Sequence, residues 1–318
     1  MNDKCGVLLT NIGSPETPTP EAVRTYLKKF LSDPRVVQIP RIIWWPILYG
    51  IILRTRPQKS AELYRKIWTE KGSPLTYFSE QLSEKLQSEM QIPVEIGMHY
   101  SHPSIETALK KLCASDVRNI IVLPLYPQYS NTTTASTFDQ VKAFFANKTQ
   151  LNWASIDNYH NHPMYIDALC SQIKSHPIQH LLFSFHGIPE QFITQGDPYA
   201  KQCHETVRLI TENLALSKAD WSISFQSRLG RAKWLTPYTD QVLQELPKRG
   251  IKNLHVICPG FAVDCLETLE EIAIRGKEQF VNAGGETFHY IPALNDELIH
   301  VQVLQDILIT AIRKRFPK

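Results

Sequence analysis

The chain's candidates for chemistry are one imidazole and a set of carboxylates, each placed just beyond a run of strand-forming residues. His186 follows the apolar run Leu181–Phe185 and is itself followed by Gly187 and Pro189, which presents the ring at a strand's carboxyl end. There it can ligate a metal or move a proton near neutral pH. It can equally be a hydrogen-bonded structural residue, so a functional reading needs partners. The second group comes after Leu254–Cys258, where Pro259-Gly260 leads into a helix-period segment with Asp264, Glu267 and Glu271. At about 100° per residue these acids fall within an arc of roughly 60°, an acidic ridge opposite Leu266, Leu269 and Ala273. Glu270 falls off the ridge and is expected to meet water. The ridge is either the polar face of a surface helix or, from its place just after a strand, one wall of a cleft. His186 with Glu267 makes an incomplete metal site, because no further His or Cys stands at a clipped ligand spacing near either. Such a pair suits a reaction that hands a metal onward, or one in which the same groups accept protons.

The elements that must position these groups follow from periodicity. Val7–Thr10, Val94–Met98, Ile120–Leu125, Leu181–Phe185, Trp221–Phe225 and Leu254–Cys258 read as strands, most of them buried on both faces. Ser104–Cys113, Tyr199–Leu214 and Asp264–Phe280 repeat apolar residues every three or four positions, as crossover helices do. That alternation is the signature of parallel sheets, and it runs twice, with the polar stretch 147–162 as the junction. The expected fold is α/β, two doubly wound parallel-sheet domains facing one cleft, residues 1–155 and 156–318, with the last helix packing back on the first domain. In such folds ligands bind outside the carboxyl ends of the strands. The loops there are Asn11-Ile12-Gly13-Ser14-Pro15, Tyr126-Pro127-Gln128-Tyr129-Ser130, His186-Gly187-Ile188-Pro189, Gln226-Ser227-Arg228 and Pro259-Gly260-Phe261. None is a dinucleotide turn or a P-loop.

Composition excludes other classes. The 318 residues are 43% hydrophobic and 20% charged, ordinary for a globular chain and far from a disordered or fibrous one. A formal net charge of +3 is too mild for a nucleic-acid binder. Cys5, Cys113, Cys170, Cys203, Cys258 and Cys265 are scattered and form no C-x-x-C pair, which argues against a disulfide scaffold or a cysteine-built metal cluster. The N-terminal residues lack the regions of a signal peptide, and a reducing cytoplasm is expected. Ile42–Leu53 carries no charge and is flanked by Arg41 and Arg54. It is too short to span a bilayer, which takes about 20 residues, and Pro46 and Gly50 are expected to interrupt any helix through it. It reads either as a buried segment or as a membrane-interface lip, about residues 39–57, carried by Trp44, Trp45 and its basic flanks.

Six motifs in order resemble the ferrochelatases, which insert Fe²⁺ into a porphyrin at the last step of haem synthesis. They are Leu8–Thr17, Pro124–Ser130, Phe183–Pro189, Gly196–Tyr199, Phe225–Gly230 and Pro259–Leu269, and together they extend over nearly the whole chain. The resemblance implies two Rossmann-like domains without a nucleotide, His186 and Glu267 as the catalytic and metal-handling pair, and Asp264 and Glu271 as an acidic relay. A porphyrin is a flat apolar disc with acidic edges. Ile12, Tyr126, Tyr129, Trp234 and the lip are therefore expected as walls and Ser130 as a further contact. Arg54, Arg56 and Lys59 are either partners of the propionates or ordinary solvated charges. Three departures stand out. Cys265 replaces a histidine the family often has before its glutamate, so no proton-relay role carries over there. His99 stands where the family reads arginine, either weakening a pocket contact or supplying a titratable substitute. Ile12 replaces a tyrosine found in some relatives and cannot ligate iron. The implied activity is Fe²⁺ insertion into protoporphyrin IX with release of two protons. The alternatives are a coproporphyrin III ferrochelatase or cobalt chelatase of the same fold, and, outside enzymes, a haem-binding carrier. Fe²⁺ is expected as substrate, with no tightly bound cofactor and, since no cysteine-bearing extension follows, no iron–sulfur cluster. The expected state is a cytoplasmic monomer that touches the inner face of the membrane peripherally and binds no nucleic acid.

Overall fold

Two four-stranded parallel sheets organise the chain in the computed structural model, which describes residues 5–146, 148, 150–230 and 232–317. The first holds β1 (Cys5–Asn11), β2 (Val94–Met98), β3 (Asn119–Pro124) and β4 (Asn152–Ser155) in the order β2-β1-β3-β4. The second holds β5 (Leu181–His186), β6 (Trp221–Gln226), β7 (Asn253–Ile257) and β8 (Thr287–Ile291) in the order β6-β5-β7-β8. Every pairing within them is parallel. Between β1 and β2 come α1 (Pro20–Leu31), α2 (Arg41–Ile47), α3 (Leu53–Ile67) and α4 (Pro74–Met90). Then α5 (Ile105–Ala114), α6 (Thr134–Phe145) and α7 (Pro163–Lys174) precede β3, β4 and β5. In the second sheet α8 (Glu190–Thr194) and α9 (Tyr199–Asn213) lead to β6, and α10 (Thr239–Glu245) leads to β7. α11 (Leu266–Thr268), a π-helical stretch Leu269–Gly276 and α12 (Lys277–Asn282) lead to β8, and α13 (Leu298–Arg315) follows it.

Helices on both faces explain why the central strands read as unbroken apolar runs: β1 is buried at every position. Side-chain caps set the helix starts. Thr19 accepts from the Ala22 N–H with Pro20 at the first helical position, and Ser104 accepts from the Thr107 N–H at 3.1 Å. Leu8, Ile120 and Val122 pack with Leu109 and Leu112 of α5 and Val141 of α6. The corresponding core of the second sheet joins Leu182, Leu254 and Val256 to Leu243, Ile272 and Phe280. The chain divides into two compact units. One comprises the chain up to Leu125, Ser130–Asp157 and the chain from Leu304 onward; the other comprises Tyr126–Tyr129 and Asn158–Val303.

The structure corrects the reading of several segments. β4 lies inside the polar stretch 147–162, whose Asn147 and Thr149 lie outside the described residues. β4 and β8 are edge strands with exposed and half-exposed positions, so neither carries the buried run that marks a central strand. The apolar segment is helical throughout, against the expectation that Pro46 and Gly50 break it: α2 contains Pro46, a π-helical turn Leu48–Ile52 contains Gly50, and α3 continues. Pro46 lacks the N–H that would bond back one turn, and the wider turn beyond it absorbs the misfit. The segment is two-faced. Trp44 (7% exposed), Leu48 and Leu53 pack with Leu31, and the Trp44 Nε1–H donates to the Leu31 carbonyl at 2.7 Å. Ile42 (85% exposed), Ile43, Tyr49 and Ile51 (58%) face outward. Arg41 lies 5.2 Å over the Trp45 ring and Lys28 5.7 Å over Tyr49. Among the described residues no helix is long and apolar enough to cross a membrane.

His99 is buried in the first unit. Its Nε2 lies 3.2 Å from the Ser136 hydroxyl and 3.4 Å from the Asp33 carboxylate. Asp33 also accepts from the Tyr100 hydroxyl at 2.7 Å and from the Arg35 N–H at 2.7 Å. These donors hold the Asp33 carboxyl far below the usual range, outweighing its burial.

His300, at the start of α13, is fully buried; its Nδ1–H donates to the Asn295 carbonyl at 2.6 Å and its Nε2 has no partner. Burial pushes its pKa down from 6.5 to about 4. The unfolded chain therefore takes up a proton between pH 6.5 and 4 that the folded chain refuses, so stability fully present above pH 6.5 is lost as the pH falls toward 4. At 1.36 kcal/mol per pH unit the ceiling is about 3 kcal/mol. Urea midpoints measured across this window should fall less steeply for His300→Gln than for the wild-type chain; equal slopes would remove His300 from the acid response.

Candidate active site

In a sheet of this order the connections diverge between the first and third strands, and ligands lie outside the carboxyl ends of those strands. In the second unit the two strands are β5 and β7. His186 is the last residue of β5, and Glu267 lies in α11, directly after the β7 loop.

A buried amide fixes both. Gln226, at the end of β6, is in register with His186. Its backbone carbonyl accepts from the Gly187 N–H at 2.8 Å, and its side-chain Nε2 donates to the Glu267 carbonyl at 2.7 Å. Its Oε1 accepts from the Ser184 hydroxyl at 2.7 Å. Gly187 is required for the approach: a Cβ there would stand 2.9 Å from the Gln226 carbonyl and 3.2 Å from Trp234 Cε3. The half-buried His186 donates from Nδ1 to the Gly187 carbonyl at 2.6 Å. Since a carbonyl only accepts, Nδ1 carries a proton, and in the neutral ring Nε2 is the nitrogen left to accept. The Trp234 ring lies 6.4 Å from the imidazole and is anchored by its Nε1–H on the Leu229 carbonyl at 2.9 Å.

The acidic ridge is smaller than the helical count implies. Glu271 accepts from the Ser227 N–H at 2.8 Å and also from its hydroxyl; Ser227 adopts φ +66° to present both donors. Asp264 precedes the helix, whose cap is Cys265, and is buried. Its carboxylate accepts from Tyr290 at 2.6 Å, Thr268 at 2.8 Å and the Asn295 amide at 2.8 Å. It therefore braces the loop and lies off the ridge face. Glu270, expected in water, is 1% exposed and pairs with Arg275 at 3.2 Å. The count fails because the backbone is π-helical from Leu269 onward and turns less per residue than an α-helix. Thr268, Ile272 and Gly276, four residues apart, thereby share the buried side, and Leu266, Leu269 and Ala273 are only half-buried. The ridge reduces to Glu267 and Glu271. Beside them, burial and Glu267 push the Cys265 thiol well above its usual range, and burial with Asp264 and Glu271 does the same to Cys258. Both stay protonated near neutral pH, which makes them poor metal ligands. Among the described residues no group of three or more His, Cys, Asp and Glu side chains is arranged to hold a metal ion, and all six cysteines are free.

The remaining expected contacts fall in two sets. Tyr126 and Tyr129 belong with His186, Trp234, Glu267 and Glu271 in the second unit. Burial raises the Tyr126 phenol far above its usual range, and the Tyr129 N–H donates to Gln202 at 2.6 Å. Ile12, Arg54 and Ser130 belong to the first unit. Ile12 is half-exposed at the carboxyl end of β1, with its N–H held by the Asn11 side chain at 2.8 Å. The Ser130 hydroxyl is buried and engaged with the Thr132 N–H (3.2 Å) and hydroxyl (3.0 Å). Arg54 and Lys59 are exposed on α3, whereas Arg56 is half-buried. Gln226 and Ser227 escaped the sequence reading of the site. Their loop was visible as a strand end, but neither side chain titrates, and only the fold shows what they hold.

The ferrochelatase family profile matches residues 4–312. The chain is 49% identical over 312 residues to "Ferrochelatase 1" of Shewanella oneidensis, covering 94% of this chain and 93% of that protein. It is also 49% identical to a ferrochelatase of Methylococcus capsulatus, covering 96% of each. Among solved structures, SirB from Bacillus subtilis with Fe³⁺ superposes with a TM-score of 0.60 at 11% identity, over 99% of this chain and 98% of that one. That likeness is one of fold. With the family motifs in place along both sheets, the chain belongs to the ferrochelatase family.

Proposed function

We propose that the protein inserts Fe²⁺ into protoporphyrin IX, with two pyrrole protons leaving as the metal enters, and that His186 and Glu267 are the bases of that exchange. The observation that carries this reading is the His186 ring, tied through Nδ1 so that Nε2 is left over, on the same sheet edge as Glu267, both fastened through Gln226. Two bases match two protons. Glu271, held by Ser227, continues the acidic line, and Asp264 braces the loop from behind. Ile12, Tyr126, Tyr129, Ser130 and Trp234 contact the macrocycle, and Arg54 pairs with a propionate. Distorting the disc so that its nitrogens face the metal draws on the binding energy of those walls. Fe²⁺ is substrate; the protein holds no tightly bound cofactor and no iron–sulfur cluster, and works as a cytoplasmic monomer. An anaerobic assay following loss of porphyrin fluorescence, with protoporphyrin IX against coproporphyrin III, tests the substrate. Turnover of coproporphyrin alone would reassign it, and porphyrin binding without insertion would leave a carrier.

The exposed face Ile42, Ile43, Tyr49 and Ile51, with Arg41 and Lys28 on its aromatic rings, supports peripheral contact with an anionic membrane surface. Trp44 is excluded from that face by its burial.

His186→Ala and Glu267→Gln should each lower the insertion rate by about 100-fold or more, the scale of acid–base catalysis, with the porphyrin Kd changed by less than about threefold. Near-normal turnover in either would remove that residue from the mechanism. Ile42→Ser with Ile43→Ser should abolish the salt-sensitive flotation of the wild-type chain with anionic liposomes at an unchanged melting temperature; no flotation of the wild type would end the membrane reading.

A further inference from the structure

Away from the carboxyl edge, three imidazoles meet on one face of the second sheet. His255 of β7 and His289 of β8 are register partners in adjacent parallel strands, with ring centroids 5.3 Å apart. His176, just past α7, completes the triangle at 4.4 Å from His289 and 5.9 Å from His255. On its other side His255 pairs with Leu181, at the opposite end of β5 from His186. At about 3.3 Å per residue that separation is about 17 Å along the strand, so the cluster is distinct from the proposed catalytic pair.

His255 is 8% exposed, and its Nδ1 is buried without a hydrogen-bond partner. The nearby His180, by contrast, places its Nε2 2.9 Å from the Ser222 hydroxyl. His289 is exposed and His176 half-exposed, so solvent reaches the cluster. Burial and repulsion among the three rings lower the pKa values of His255 and His289. Three imidazoles sharing a tetrahedral ion at about 2.0–2.1 Å place their centroids about 5 Å apart, close to the spacing of this triangle.

We infer that His176, His255 and His289 form a second site, one for a zinc-class divalent cation, with water as the fourth ligand. An all-imidazole set favours Zn²⁺, Co²⁺ or Ni²⁺ over Mg²⁺ or Ca²⁺. The three side chains do not yet converge as a ligand set; ion binding turns the two solvent-facing rings, His176 and His289, toward the orphaned nitrogen of His255.

The test is a Co²⁺ titration of the full chain, purified without a histidine tag and followed by visible absorption, with Zn²⁺ as competitor. One equivalent with a tetrahedral spectrum is expected. His176→Ala and His289→Ala should each weaken it at least tenfold, and His186→Ala should leave it unchanged. Absence of this equivalent in the wild type, or its persistence in both cluster variants, overturns the proposal, as does its loss in His186→Ala alone. Circular dichroism checks that the variants fold. Independently of any variant, substoichiometric Co²⁺ should broaden the ring-proton resonances of these three histidines first, and broadening confined to His186 would overturn the site. Turnover of the same His186→Ala protein reports separately on the proposed function.

Discussion

The carboxyl edge of the second sheet depends on the hydrogen bonding of one buried amide. Gln226 is 2% exposed, and its three polar groups hold three different segments: the end of β5 through Gly187, the interior of β5 through Ser184, and the helix after β7 through Glu267. Because water cannot replace any of these partners, losing one strands a polar group at a cost on the order of 1–3 kcal/mol. The network continues inward, where Ser184 and Ser224 share the Thr239 hydroxyl at 3.0 and 2.8 Å. A polar seam in an otherwise apolar sheet specifies geometry more than it adds stability, and what it specifies is where the imidazole and the glutamate stand.

Two π-helical stretches mark where the chain departs from regular packing, and both coincide with the segments of greatest functional interest. One widens the apolar segment at Leu48–Ile52, and the other carries Glu270 and Glu271 at Leu269–Gly276. The wider winding puts Glu270 into the core against Arg275 while leaving Glu271 within reach of Ser227. Adjacent glutamates thus receive opposite environments from the backbone alone. The strained φ of Ser227 fits the same picture: a left-handed residue that is not glycine persists where its donors are needed.

These two features also define what a linear reading captures. The central strands, the crossover helices and the position of His186 at a strand end are legible because burial on both faces writes continuous apolar runs. β4 and β8 are not, since exposed and half-exposed positions break up their apolar runs. Phase arguments hold only for the assumed helix start and winding, so Glu267 and Glu271 are found, while Asp264, which precedes the helix, and Glu270, in its π-helical part, are misplaced. Gln226 and Ser227 are invisible because their contribution is a hydrogen-bond pattern, and hydrogen-bond partners are set by the tertiary fold. Trp44 reads as a lip residue from its neighbours and turns inward because its indole N–H finds the Leu31 carbonyl.

The same strand order occurs in both sheets, yet their carboxyl edges are chemically unlike. At the end of β1 stand Asn11, Ile12, Gly13 and Ser14, none of which titrates near neutral pH, whereas the ends of β5 and β7 lead to His186, Glu267 and Glu271. A porphyrin makes two demands that conflict at one place, an apolar surface for its faces and bases for its protons. Desolvation by apolar walls raises a carboxyl's pKa and lowers an imidazole's, which would leave the acid protonated and the imidazole a weaker base. In the second unit polar partners stand among the apolar contacts. Glu271 illustrates this: its carboxylate takes both the N–H and the hydroxyl of Ser227. Arg228, which follows Ser227, pairs with Asp240 at 2.8 Å.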